Sequence, residues 1–421
     1  MRKLILYSLF SIFIGCSATK KRLNKNIENI IQTRFYQNQF TGLLVIDPVT
    51  KDTLYNLNSK KYFTPASNTK IFTLYTSIKA LPEKIPALKY SYRNDTLYFE
   101  GTGDPSFLHP YLKDSTVYHF LKNKRNIVLY EKPLLDQPLG PGWAWEDYDQ
   151  YYAPERSALP VYGNITRIFK NPELKVLPTY FKDSVLELNF KTNRALHKNL
   201  FYFDGTRNDT LEVPFKTNSK TLHRLLEASL LKKIDITHKM PEGPKNIFYG
   251  IPSDSLYMRL MHESDNFIAE QLLILSANQW TDTLSSTIAR NKILEDYLAD
   301  IPQQPRWVDG SGLSRYNLFT PQSMVYVLEK LYEEIPKERL FKIFPSAGIS
   351  GTLTNWPSLT KEPYLYAKSG SLGNNYCLSG YLITNSGKTL IFSFMNNHFT
   401  NSSSEVKLRM QSIFQILRNT Y

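Results

Sequence analysis

Pro65-Ala66-Ser67-Asn68-Thr69-Lys70-Ile71-Phe72-Thr73-Leu74-Tyr75-Thr76-Ser77-Ile78-Lys79-Ala80-Leu81 is the stretch on which this sequence turns. Its apolar residues Ile71, Leu74, Ile78 and Leu81 recur at spacings of three and four, which predicts an amphipathic helix entered after Pro65. Ser67 and Lys70 stand three apart at its start, so their side chains share one face, a turn apart. A lysine stripped of its proton by desolvation or a neighbouring cation can accept the proton of a serine hydroxyl and create a nucleophile. Free N–H groups at a helix start also suit an oxyanion. Taken alone, Ser-x-x-Lys equally describes a capping serine beside a solvated lysine.

Two more pieces lie downstream. Ser264-Asp265-Asn266 falls between two helical runs, one through Leu256, Leu260 and Met261, the other through Ile268, Leu272, Leu273 and Leu275. It reads as a helix break, and its residues would serve as an N-cap in any case. Lys368-Ser369-Gly370-Ser371 opens a strand-like segment. Lysine beside a hydroxyl suits a carboxylate ligand, and glycine would let a substrate backbone approach the strand edge.

Around these motifs the chain changes character twice. Residues 42–47 (GLLVID) and 52–57 (DTLYNL) read as a hairpin around Pro48. From Pro86 to about Pro244 the sequence is rich in Tyr, Pro and Asn, with short strand-like runs at 96–100 and 185–190. Near the C-terminus, 376–383 and 388–394 flank Asn385-Ser386-Gly387, a hairpin turn. Ser402-x-x-Glu405 then caps a last helix through Val406, Met410, Ile413 and Leu417. Strands at both ends, helices between them and a large β-rich insertion predict an α/β sandwich whose sheet is assembled from both termini.

The N-terminus bears on compartment. Residues 1–15 read MRKLILYSLFSIFIG: two cations, then an apolar run too short to span a bilayer but suited to a signal peptide. It ends at Gly15-Cys16-Ser17, which resembles a bacterial lipobox with Phe13 where leucine is usual. Cleavage there would leave Cys16 carrying lipid, and residues 16–26, with Lys20, Lys21, Arg22 and Lys25, would form a basic tether. Cys377 would then be the only other thiol, which excludes an intrachain disulfide. Loss of Arg2 and Lys3 lowers the formal charge of the mature chain from +13 to +11.

The three motifs, in this order, resemble the penicillin-recognising serine enzymes: Ser-x-x-Lys, Ser-x-Asn, Lys-Thr/Ser-Gly. The 197 residues from Ser67 to Ser264 exceed what a class A β-lactamase allows, and 104 more lead to Lys368. This spacing resembles the class C low-molecular-mass penicillin-binding proteins, the D-alanyl-D-alanine carboxypeptidase/endopeptidase family. PASNTK (65–70), GDPSF (103–107), GPGWAWEDYDQYYAPERSAL (140–159), HESDNFIAEQLL (262–273), DGSGLSR (309–315) and AGISGTL (347–353) are similar to its blocks. Ser369 departs from the usual Thr but keeps the hydroxyl.

The resemblance implies an α/β fold, a β-lactamase/transpeptidase-like domain of antiparallel sheet plus helical lobe. Its halves would be 27–85 and 246–421, interrupted by a β-rich insertion at 86–245. It implies that Ser67 attacks the D-Ala–D-Ala carbonyl with Lys70 as base, that Ser264 relays a proton to the leaving amine, and that Asn266 holds the substrate amide and Lys70. Lys368 and Ser369, beside Gly370, would bind the terminal carboxylate, and the N–H groups of Ser67 and Ser371 would form the oxyanion hole. Asp147, Tyr152 and Arg315 match residues that read the free end of the stem peptide's diamino acid: carboxylate to ammonium, ring to aliphatic stem, guanidinium to carboxylate. The expected partners are peptidoglycan stem peptides, β-lactam antibiotics as covalent inhibitors, and a membrane reached through the N-terminal lipid. No cofactor or metal is implied. With no Glu-x-x-Leu-Asn segment of the class A type, a penicillin adduct is expected to persist. Ser17 after the cysteine points to the outer membrane of a Gram-negative-type envelope, with the enzyme facing the periplasm.

Composition removes other classes. Of 421 residues 42% are hydrophobic, which gives ample core and excludes disorder and multi-span membrane folds. The excess of 51 Lys and Arg over 38 Asp and Glu carries no arginine stripe, and no basic–aromatic interleaving marks a nucleic-acid surface. Gly387-Lys388-Thr389 lacks the upstream glycine of a phosphate loop, and His262-Glu263 lacks the second histidine of a zinc helix, since Asn266 stands there. Two other readings stay open: a catalytically silent peptidoglycan-binding lipoprotein, and a β-lactamase-like hydrolase.

Overall fold

The structure, a computed structural model, describes residues 20–357 and 362–421; the residues 1–15 read as a signal peptide, and Cys16, lie outside them. Its centre is a five-stranded antiparallel sheet in the order Leu365–Leu372, Asn375–Ile383, Thr389–Asn397, Phe40–Ile46, Thr53–Leu57. Three strands come from the C-terminal region and two from the N-terminal region, so the sheet closes only when the ends of the chain meet. In the strand Asn375–Ile383, Cys377 and Tyr381 enter one core while Leu378 and Leu382 enter another. That period of two marks a sheet covered on both faces.

One face carries Ser403–Thr420, capped by the Ser402 hydroxyl on the Glu405 N–H at 3.2 Å. Against it lies a helix at residues 20–31, and here the structure corrects the sequence reading. The basic run assigned to a tether is a docked helix, with Leu23 and Ile27 fully buried and Ile30 and Ile31 packed on the same core. Leu23, Ile27 and Ile30 fall at i, i+4 and i+7, an apolar stripe that the neighbouring lysines obscured.

The other face carries the helical lobe: Lys70–Ala80, Ser253–His262, Asn266–Thr281, Ser286–Asp296 and Pro321–Glu334. The first of these is not amphipathic as expected. Residues 70–77 are all buried, because neighbouring helices of the lobe enclose it on every side. Leu81 already has extended backbone beyond its end.

The insertion leaves this lobe at Lys84 and forms a mixed five-stranded sheet ordered Asp235–Thr237, Asn126–Tyr130, Thr96–Gly101, Lys84–Arg93, Asn246–Pro252. The last strand, placed in the second half of the main domain by composition, pairs with Lys84–Arg93 and carries the insertion on to Pro252. A three-stranded and a two-stranded sheet, with helices Thr116–Lys122 and Ser219–Leu230, complete it around a core of its own.

Candidate active site

Ser67 sits in a single 3-10 turn, Ala66–Thr69, that runs straight into the helix Lys70–Ala80. Ala66 holds a φ of +48°, an unfavourable conformation for a residue with a Cβ, and persists because the turn is pinned from several sides. The Thr69 hydroxyl donates to the Ala66 carbonyl at 2.9 Å. Asn68 donates to the Lys368 carbonyl at 2.8 Å and accepts from the Ser379 hydroxyl at 2.6 Å, which ties the turn to the sheet.

Gly370 makes that docking possible. A Cβ at this position would lie 2.5 Å from the Pro65 carbonyl oxygen. The glycine therefore admits the protein's own serine turn, where the sequence had suggested the approach of a substrate backbone. Gly312, at φ +82°, plays the same part from the opposite side, since its Cβ would meet the Ala66 oxygen at 1.9 Å.

Lys70 is completely buried and its ammonium is shared among three acceptors: Ser67 Oγ at 3.0 Å, Asn266 Oδ1 at 2.7 Å and the Ser311 carbonyl at 2.6 Å. Burial brings its pKa down to about 8, opposed by the carboxylates of Asp309, Glu270 and Asp265. A neutral amine has two N–H bonds and one lone pair. The Asn266 and Ser311 oxygens can only accept, so they take the two N–H groups and the lone pair is left for the Ser67 hydroxyl. This arrangement can serve as a nucleophile with a base aimed at it.

The helix break expected at Ser264 is present. Ser253–His262 ends, Ser264 adopts φ +55°, and Asp265 caps Asn266–Thr281 through the Ile268 N–H at 3.0 Å. Arg259 holds Asp265 at 2.9 Å. Asn266 also donates to the Tyr152 carbonyl at 2.9 Å, which links the tripeptide to the insertion.

Lys368 lies in the middle of its strand rather than at the start, because the pairing with Asn375–Ile383 begins at Leu365. It is fully buried, and its ammonium donates to the Ser369 carbonyl at 2.8 Å. Burial and the charge of Lys70 hold its pKa well below the ordinary lysine range. It lies behind the strand and does not line the cleft, while the Ser369 hydroxyl, bonded to Thr352 at 2.7 Å, stands nearer the surface.

A cleft of about 930 Å³ gathers the remaining pieces. Ser67, Ser264, Asn266, Thr352 and Ser371 line it, as do Asp147, Tyr152 and Arg315. Tyr152 donates to Asp147 Oδ1 at 2.8 Å, whereas Arg315 is exposed and has no ion pair among the described residues. A carboxylate and a guanidinium therefore line one cleft. Sequence reasoning missed Thr352, Ser311, Glu270 and Asp309. Glu270 stands four residues after Asn266 on one helix face, a signal that was present in the spacing.

A cleft-lining serine beside a buried lysine, a Ser-x-Asn helix break and a lysine-bearing edge strand on this split sheet define a penicillin-recognising serine acyl-transfer enzyme. Residues 23–175 and 251–420 match the model of the D-Ala-D-Ala carboxypeptidase 3 (S13) family, and the chain belongs to that family. It is 32% identical over 177 residues to D-alanyl-D-alanine carboxypeptidase DacB of Haemophilus influenzae, which covers 40% of this chain and 37% of that relative. The match to penicillin-sensitive carboxypeptidase A of Dictyostelium discoideum is 23% over 428 residues, 84% of this chain and 81% of the relative. The crystal structure of penicillin binding protein 4 from Haemophilus influenzae superposes with a TM-score of 0.73 at 21% identity, over 94% of this chain and 100% of that one.

Proposed function

We propose that this protein is a serine-type D-Ala-D-Ala carboxypeptidase acting on peptidoglycan stem peptides, anchored to an envelope membrane by lipid on Cys16. The observation that carries the chemistry is the Lys70 amine, whose two carbonyl acceptors leave its lone pair on Ser67.

Ser67 Oγ attacks the carbonyl carbon of the penultimate D-Ala while Lys70 takes its proton. The oxyanion forms between the N–H groups of Ser67 and Ser371, each such donor being worth roughly 3–4 kcal/mol. Collapse breaks the peptide bond, and the proton passes from Lys70 by way of the Ser264 hydroxyl to the departing D-Ala amine. Water then attacks the acyl-enzyme and regenerates Ser67. A β-lactam follows the first step, but its leaving nitrogen stays tethered to the acyl group, so the adduct persists. The same cleft extends past the serine to His109, Tyr111 and Ile165 on the insertion. That room supports a second reading, cleavage of D-Ala-to-diamino-acid crosslinks.

Incubation with an Nα-acylated Lys-D-Ala-D-Ala peptide that keeps its ε-ammonium free is expected to release one equivalent of free D-alanine per peptide. Slow acylation by penicillin with no D-alanine release would instead favour the silent binding protein, and rapid nitrocefin turnover would favour a β-lactamase.

The anchor rests on the cation-led apolar run and Gly15-Cys16-Ser17, with Ser17 supporting the outer membrane. Metabolic labelling with a fatty-acid analogue is expected to mark the wild type and to vanish in Cys16→Ala; equal labelling of both refutes the anchor.

A further inference from the structure

Lys70 can serve as a base only while its two N–H groups are held away from Ser67, and one of the two acceptors is a loop carbonyl. What fixes that loop is a pair of buried carboxylates with no place in the chemistry above. Asp309 is wholly buried; its Oδ1 accepts from the Gly312 N–H at 2.9 Å and Asn317 Nδ2 at 2.7 Å. Its Oδ2 accepts from the Ser314 N–H at 2.7 Å and Trp143 Nε1 at 2.9 Å. The Gly312 N–H and the Ser311 carbonyl belong to one planar trans peptide, so they point in opposite directions. Drawing the N–H into Asp309 therefore aims the carbonyl at Lys70. Glu270, equally buried, accepts the Ser311 N–H on Oε1 at 2.8 Å and faces Arg156 Nη1 from Oε2 at 3.4 Å.

We propose that Asp309 and Glu270 are positioning residues that brace residues 309–312, so that the Ser311 carbonyl binds one N–H of Lys70 and the lone pair stays on Ser67. The brace is partly built by the insertion. Trp143 and Arg156 both come from it, and Arg156 is itself held by the carbonyls of Gln137 and Leu139 at 3.0 and 3.1 Å. This rests on Lys70 being the base.

The brace also sets charge. Facing Lys70 are Asp265 from the helix break, Glu270 from the helix Asn266–Thr281 and Asp309 from the loop, against Lys368 from the edge strand. Behind the two brace carboxylates stand Arg156, Arg290 and Asp136. Glu270 and Asp309 favour the ammonium, so each can be tested by charge and by reach separately.

The experiment is the pH dependence of acylation of the full chain by a fluorescent penicillin, with melting temperature recorded for each variant. Glu270→Gln keeps an oxygen for the Ser311 N–H but removes the charge. Its acid limb is expected to move to lower pH by about half a unit or more, as loss of a nearby opposite charge dictates. Glu270→Asp keeps the charge but shortens the reach, so its limb should stay in place while the plateau falls, by roughly tenfold if the carbonyl swings away. Should Glu270→Gln not fold, Asp309→Asn supplies the charge removal and the same downward shift is expected. A Glu270→Asp plateau equal to that of the wild type overturns the brace, and limbs that stay at the wild-type position in the charge-removing variants overturn its effect on charge. A wild type with no limb near pH 8 overturns Lys70 as base instead, so the two failures are distinct.

Discussion

Ser67→Ala is expected to abolish covalent labelling by any penicillin, leaving a folded protein that binds the drug only reversibly. Loss of the nucleophile in an enzyme of this kind costs on the order of a millionfold in turnover. The folded state should survive, because the turn does not depend on the hydroxyl. Asn68 and Thr69 carry the bonds that pin it, and Gly312 and Gly370 admit its backbone. The check is fluorescent-penicillin labelling resolved by electrophoresis, alongside the melting temperature. A persistent adduct on Ser67→Ala would assign the nucleophile elsewhere. D-alanine release must disappear together with the label, since both pass through one acyl-enzyme.

Acylation by penicillin is expected to rise with pH and to level off near pH 8, where burial has placed Lys70. The sign follows from which form works. The neutral amine is the base, and the ammonium has no lone pair, so the rate tracks the deprotonated fraction. With a pKa of about 8, that fraction grows about tenfold from pH 6 to 7, about fivefold from 7 to 8, and less than twofold from 8 to 9. An unperturbed lysine would keep the rate climbing to beyond pH 10. Lys70→Gln can still donate to Asn266 and Ser311 but accepts no proton, and is expected to acylate on the order of a thousandfold more slowly at every pH. A flat profile in the wild type, or an unchanged rate in Lys70→Gln, would assign the base elsewhere. The limb belongs to the chemical step, so it should appear with a β-lactam and with a peptide substrate alike.

Much of this was readable from local pattern. Hairpins at 42–57 and 376–394 show themselves because turn chemistry and strand period are properties of neighbouring residues. The helix break at Ser264 is likewise written in adjacent residues, and Ser67 with Lys70 needs only the pitch of a helix to meet. Blocks resembling a known family then placed these pieces in one fold.

Other features lay beyond local pattern because they depend on what lies across the gap. Residues 20–26, read as part of a basic tether, look so until the C-terminal helix and the sheet provide a surface for Leu23 and, one turn on, Ile27. Residues 70–77 look amphipathic until neighbouring helices enclose them, since burial of Thr73, Thr76 and Ser77 requires partners that only packing supplies. Their hydroxyls find backbone carbonyls at 2.7 to 2.8 Å, Thr73 on Gly310 and the other two within the helix itself. Asn246–Pro252 joins the insertion because it pairs with a strand that ended more than 150 residues earlier.

The sequence by itself determined which side chains can do the chemistry: a serine, a lysine one turn on, a Ser-x-Asn break and a Lys-Ser-Gly strand. The tertiary structure decided their chemical state. Burial lowers the proton affinity of Lys70 toward that of a usable base, and the oxygens of Asn266 and Ser311, 196 and 241 residues away, engage its nitrogen. Proton affinity and aim are set by everything within a few ångströms, and in this split domain those neighbours come from both ends of the chain and from the insertion between them.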